Sequence, residues 1–128
     1  MAQRIDSLRL QGLRGATTSQ NNSSAAIETA VSELVSELVN RNDLNPEQIV
    51  SITFSVTSDL NACFPAAIAR KNQGWENVAL LDCQQMAVKN DLTHCIRMLA
   101  LVWLPPTQKP QHPYLGEASV LRPDRSPQ

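Results

Sequence analysis

The stretch Cys95-Ile96-Arg97-Met98-Leu99-Ala100-Leu101-Val102-Trp103-Leu104 constrains the fold more than any other part of the chain. It is apolar at odd and even positions alike, so as a strand it has no side to give to solvent. That pattern predicts the middle of a sheet, with a neighbour on each edge. Pro105-Pro106 ends it, because proline brings no N–H to the ladder. One residue in the run is out of keeping with it. The Arg97 guanidinium cannot lose its proton, and burying it unpaired is expensive, so it must meet a carboxylate, a cluster of carbonyls or a bound anion. An internal ion pair, to Asp82 for example, and an anion-binding site both meet that requirement.

The rest of the chain supplies the other elements. Leu8, Leu10 and Gly12-Leu13 alternate as a short strand, and Arg14-Gly15-Ala16-Thr17-Thr18 reads as the turn that ends it, which puts Arg14 at a strand end. After a polar loop, Gln20 to Ser24, the residues Ile27, Val31, Leu34 and Leu38 fall on one helical face. This is the one long helix, fraying near Asn40 to Asn42; Ser24 with Ile27 makes no capping box. Pro46-Glu47-Gln48 makes a brief turn. Val50, Ile52, Phe54 and Val56 then alternate with Ser51, Thr53, Ser55 and Thr57 as a half-buried strand. Pro65 opens a short helix through about Lys71, with Arg70 on it, and Val78 to Leu81 is a third strand. Met86 to Asp91 is polar coil without a helical period, and Leu115 to Leu121 is a candidate final strand.

These elements add up to an α/β (α+β) domain over residues 1–124, with a mixed five-stranded sheet, one long and one short helix, and a polar tail at 125–128. A chain of 128 residues buries roughly two-thirds of its unfolded surface, so it needs neither disulfides nor metals to hold together. One helix of this length cannot cover both faces of such a sheet. Symmetric association is the simplest remedy, and it would create clefts between subunits.

Charge and composition narrow the function. The formal net charge is −1, which argues against general binding to nucleic acid or an anionic membrane, so an anionic ligand has to be met by local arginines. The longest apolar run is far short of the ~20 residues that span a bilayer, and the N-terminus has no stretch like a signal peptide, so a soluble cytoplasmic protein is expected. Cys63, Cys83 and Cys95 form no C-x-x-C pair and read as reduced core or near-core thiols rather than zinc ligands. His94 and His112 are isolated, and no nucleophile–histidine–acid order or glycine-rich phosphate loop is recognisable. Arg14, Arg70 and Arg122 fall at element ends. Taken singly each is a solvated charge, but converging with Arg97 they would suit a dianion, because guanidinium forks match carboxylates.

Several segments, in their order and spacing from about Leu10 to Asp124, resemble the small trimeric, AroH-type chorismate mutases. They are Arg14-Gly15-Ala16-Thr17-Thr18, Ser58-Asp59-Leu60-Asn61-Ala62-Cys63-Phe64-Pro65-Ala66, Cys95-Ile96-Arg97, Tyr114-Leu115 and Leu121-Arg122-Pro123-Asp124. The resemblance implies a homotrimer packed as a pseudo-barrel, with active sites at subunit interfaces. It implies rearrangement of chorismate to prephenate, on the way to phenylalanine and tyrosine, with no cofactor and no metal. Arg97 would donate to the ether oxygen of chorismate, while Arg14 and Tyr114 would bind near the ether and carboxylate groups. Phe64, Ala66, Arg70, Leu81, Leu121 and Arg122 would line or close the pocket.

The chain departs from the family pattern in places. Gln85 stands where the best-known pattern has a glutamate held to bind the ring hydroxyl, Asp82 where it has a cysteine, and Ala67 where some members have lysine. Gln85 is expected to contact the hydroxyl or ether region, and Asp82 to orient Arg97 or take the hydroxyl. Two other readings compete. One is a trimeric imine deaminase, whose characteristic C-terminal arginine stretch is not visible here; the other is a non-catalytic module that binds an anionic metabolite.

Overall fold

The computed structural model of the protein describes residues 7–121. Six elements organise it: strand β1 (Arg9–Thr18), helix α1 (Ser24–Asn42), strand β2 (Ile49–Val56), helix α2 (Pro65–Ala69), strand β3 (Ala79–Gln84) and strand β4 (Cys95–Leu104). The sheet order is β1-β4-β2-β3, with β4 antiparallel to both of its neighbours and β2 parallel to β3. The doubly apolar run is therefore an interior strand, as its composition requires. Among the described residues the sheet has four strands rather than five.

Three differences from the sequence reading have physical causes. β1 does not stop at Arg14: it runs to Thr18 because Cys95 to Leu99 offer it a complete antiparallel partner, and tertiary pairing overrides the turn propensity of Gly15 and the threonines. Leu115 to Leu121 forms no strand: a single bridge at Tyr114 precedes it, and a 3-10 helix, Gly116–Leu121, follows because Gly116 turns the chain at φ 56. In β2 a register shift between Ile49 and Ser51 turns Ile49 inward in place of Val50.

α1 begins where the Ser23 hydroxyl accepts the Ala26 N–H at 3.1 Å, and it holds through Asn42. Its stripe of Ile27, Val31, Leu34 and Leu38 seals the face of the sheet formed by Leu13, Ile52, Phe54, Ile96, Met98, Ala100 and Val102. Asn42, fully buried, ends the helix with a purpose: its side chain donates to Gln111 O at 2.9 Å and accepts Gln111 N–H at 2.8 Å. The returning chain is thereby fixed on its approach to Tyr114.

The opposite face of the sheet is largely open. Residues directly opposed across strands share a face and neighbours along a strand alternate, so the pairings define rows. One row is Arg14, Leu99, Thr53 and Leu81; the next is Ala16, Arg97, Ser55 and Cys83. Leu99 is 48% exposed and Leu81 62%. All three cysteines are free; Cys95 is buried, but Cys83 lies exposed in this open row rather than near the core.

Candidate active site

Arg14 and Arg97 lie one row apart on the open face, and with Tyr114 and Leu121 they line a cleft of about 460 Å³ floored by Thr53, Ser55 and Leu99. The far wall is set by local geometry. Ala16 donates its N–H to Pro113 O at 3.0 Å and accepts from Leu115 N–H at 2.8 Å, which lays Tyr114 along the outer edge of β1. Only glycine fits at position 15, where a Cβ would come within 2.7 Å of Pro113 O. Arg14 N–H donates to His112 Nδ1 at 2.9 Å, a second tie between the same two segments.

The floor is anchored at the start of β4. Asp59 accepts His94 N–H at 2.9 Å, and Thr57 Oγ1 accepts Cys95 N–H at 3.0 Å. Burial raises the Asp59 carboxyl, but the Thr57 hydroxyl and His94 outweigh it and hold the group below its ordinary value. Burial lifts the Cys95 thiol above its usual range despite the neighbouring Arg97, so at neutral pH it is a neutral thiol and no nucleophile.

Arg97 is less buried than its apolar neighbours imply: its side chain is 38% exposed, into the cleft. Its ion-pair partner is Asp91, not Asp82. One nitrogen, Nη2, reaches both Asp91 oxygens at 3.3 Å, while Nε is buried and has no hydrogen-bond partner among the described residues. Asp82 cannot serve, because it pairs with Phe54 in the register and shares the covered face, one residue out of phase with Arg97. It accepts the Ala66 N–H at 2.9 Å instead. Burial pushes the Asp82 carboxyl above its ordinary value, although the Ala66 N–H and the Arg70 charge pull the other way.

Gln85 does meet Arg97, through a shared partner. Its Nε2 donates to Asp91 Oδ2 at 2.8 Å, and its Oε1 is buried with no partner among the described residues. Sequence reasoning missed Asp91. It sits in the polar coil before β4, and only the return of that coil beside the end of β3 brings it to Arg97.

The remaining candidates form a separate group. Exposed Phe64, buried Ala66 and exposed Arg70 belong to α2 and its two ends; they gather with Asp82 near the β3 edge, three strands from Arg14. Leu81 shares the open face but is exposed at that same far edge. None of these five lines the Arg14–Arg97 cleft. Within one chain, then, the arginines do not converge: Arg14 and Arg97 meet in the cleft, and Arg70 lies elsewhere. Arg122 lies outside the described residues, as do Pro123, Asp124 and the tail at 125–128.

A larger hollow of about 520 Å³ lies between α1 and the ends of β1 and β4, lined by Thr18, Thr29, Glu33, His94 and Glu117. Its described lining has two carboxylates and no arginine, the wrong sign for an anionic ligand, so the smaller cleft is the better site. Among the described residues no group of three His, Cys, Asp or Glu is placed to hold a metal ion, and no helix is long and apolar enough to cross a membrane.

Comparisons with known proteins show the family. The chain is 35% identical over 120 residues to chorismate mutase AroH of Bacillus subtilis (strain 168), covering 93% of this chain and 94% of that protein. It is 37% identical over 118 residues to chorismate mutase AroH of Thermus thermophilus, covering 90% and 95%. A chorismate mutase structure from Clostridium thermocellum superposes with a TM-score of 0.79 at 36% identity, covering 86% of this chain and 98% of that one. The family described as chorismate mutase type I matches residues 10–125, and the chain belongs to that family.

Proposed function

We propose that the protein is an isomerase that rearranges chorismate to prephenate in the Arg14–Arg97 cleft, acting as a homotrimer. The observation that carries the reading is the placement of Arg97, Arg14 and Tyr114 around one cleft in a chain of the chorismate mutase family. The reaction is an intramolecular pericyclic shift. The ether C–O bond breaks as a C–C bond forms, and no proton, nucleophile or electron has to be supplied. The protein lowers the barrier by holding the enolpyruvyl arm over the ring and by placing fixed positive charge where the ether oxygen becomes negative.

Arg97 and Gln85, joined through Asp91, suit this substrate. A guanidinium can only donate and an amide carbonyl can only accept, and chorismate carries an ether oxygen beside a ring hydroxyl. Arg97 serves the ether oxygen and Gln85 takes the hydroxyl, so Gln85 keeps its role at the hydroxyl without a charge of its own. Arg14 and Tyr114 hold a carboxylate at the other end of the cleft. A preorganised donor such as Arg97 is worth roughly 3–4 kcal/mol in the transition state.

Assembly completes the site. The exposed leucines of the open face, Leu10, Leu81, Leu99 and Leu101, form an unusual apolar stretch for a lone subunit and suit an interface. A neighbouring copy would cover them and bring its own Phe64, Arg70 and Leu81 to the cleft, with Arg122 adding charge at the rim. Purified protein mixed with chorismate, followed by loss of substrate absorbance, tests the reading. Rapid conversion to prephenate is the expected result. Binding without turnover would make the protein a metabolite-binding module and overturn the assignment.

A further inference from the structure

The Asp91 carboxylate is the hub of a polar cluster beside the cleft: with Gln85 it lines an adjoining hollow near Thr57 and Asp59, and Arg97 ties it to the cleft. It accepts from Gln85 Nε2 at 2.8 Å, from Arg97 Nη2 at 3.3 Å and from the Leu92 N–H at 2.8 Å, and its side chain is only 22% exposed. An ionised carboxylate accepts and never donates, so its position decides which way round the Gln85 amide sits. With the NH₂ turned toward Asp91, the carbonyl end finds no partner among the described residues; with one end of the guanidinium taken up by Asp91, Arg97 Nε is left likewise. Leaving both buried atoms unsatisfied is costly, so the contacts to Asp91 at the other ends of the two groups set their orientation.

We propose that Asp91 is a positioning residue for the rearrangement: by holding the Gln85 amide and one end of the Arg97 guanidinium, it fixes the direction of the amide and the angle at which the exposed part of the guanidinium enters the cleft. The inference rests on the chorismate mutase reading above. It assigns the carboxylate of the site to the loop ahead of β4 rather than to the end of β3, where the neutral Gln85 stands.

The measurement is chorismate turnover by Asp91→Asn, Asp91→Ala, Gln85→Glu and the Asp91→Ala/Gln85→Glu pair, alongside the unaltered enzyme. Asp91→Asn keeps the shape and an oxygen for the Leu92 N–H but can present its amide either way. It should lose on the order of tenfold in kcat, with KM changed far less and the thermal midpoint unmoved, the effect of one misdirected hydrogen bond. Gln85→Glu alone sets two carboxylates against each other and should also be slow at neutral pH, recovering as the pH falls. Combined with Asp91→Ala it moves the carboxylate from loop to strand end, and activity should return toward that of the unaltered enzyme. Such a sign change cannot come from two independent losses.

A role confined to holding the loop predicts that Asp91→Asn behaves as the unaltered enzyme and that the pair is no faster than either single variant; either result overturns the proposal. If Asp91→Ala fails to fold, the Asp91→Asn kinetics still decide. No turnover by the unaltered enzyme would sink the functional reading itself, whereas normal turnover with an indifferent Asp91 sinks this inference alone.

Discussion

The two faces of β4 are made by alternate residues of one ten-residue strand, and they do different work. Ile96, Met98, Ala100, Val102 and Leu104 lie sealed in the core, while Arg97, Leu99 and Leu101 stand on the open side. The same alternation divides the carboxylates: Asp82 falls in phase with the covered face and serves α2, whereas Asp91 reaches the open face from a loop. Parity along the strands thus separates residues that pack the core from those that face the cleft, and substitutions on the two sides should fail in different ways.

The largest effect on stability belongs to the covered face. Phe54→Ala removes a fully buried ring and should lower the folding free energy by about 3–5 kcal/mol, read as a lower urea midpoint with little change in slope. Gly15→Ala lies at the junction of the two faces. Its new methyl group would press on Pro113 O and the Met98 methyl, so it should cost about 1–3 kcal/mol and, by shifting Tyr114, lower kcat/KM in the fraction that stays folded. Unchanged kinetics there would mean that the 112–115 segment does not set the cleft wall. If the open face is the trimer interface proposed above, Leu101→Asp should leave far-ultraviolet circular dichroism intact while sedimentation shifts from trimer to monomer. A trimer that survives this charge would place the interface elsewhere.

The smallest effect is at Asp82. Its carboxyl is raised in the folded protein, so folding favours the protonated form; the stability this lends is present at acid pH and lost as the pH rises through the raised value. Asp82→Asn keeps an oxygen for the Ala66 N–H without the charge. At pH 7 its thermal midpoint should be no lower than that of the unaltered protein, and its stability should vary less with pH between about 3 and 6. A clear fall at pH 7 would show that the ionised carboxylate is needed beside Arg70.

How much of this was legible in the sequence follows the same division. The covered face was readable because burial repeats: the stripe from Ile27 to Leu38 and the alternation through Ile52 and Phe54 each carry a period. The central place of β4 was readable from the run itself, and Arg97 was conspicuous within it. Arg14, Tyr114 and Leu121 came from family likeness, since a single arginine in a strand carries no period to mark it. What could not be read depended on long-range pairing. β1 continues through Gly15 and Thr18 only because β4 is there to receive it, the 3-10 helix after Tyr114 depends on the backbone turn at Gly116, and Asp91 lies in a coil whose composition resembles that of any surface loop. The expected pairing of Asp82 with Arg97 failed for a simpler reason: its one-residue phase difference from the open row becomes visible only once the register of β2, β3 and β4 is known.

The account stands on the guanidinium of Arg97 meeting a breaking ether on the open face, and the most direct measurement is chorismate turnover by Arg97→Ala and Arg97→Lys at matched fold and assembly. The alanine variant should lose at least about a hundredfold in kcat/KM, and lysine, a point charge of different reach, should restore little of it. An alanine variant that makes prephenate at the rate of the unaltered enzyme would contradict the account.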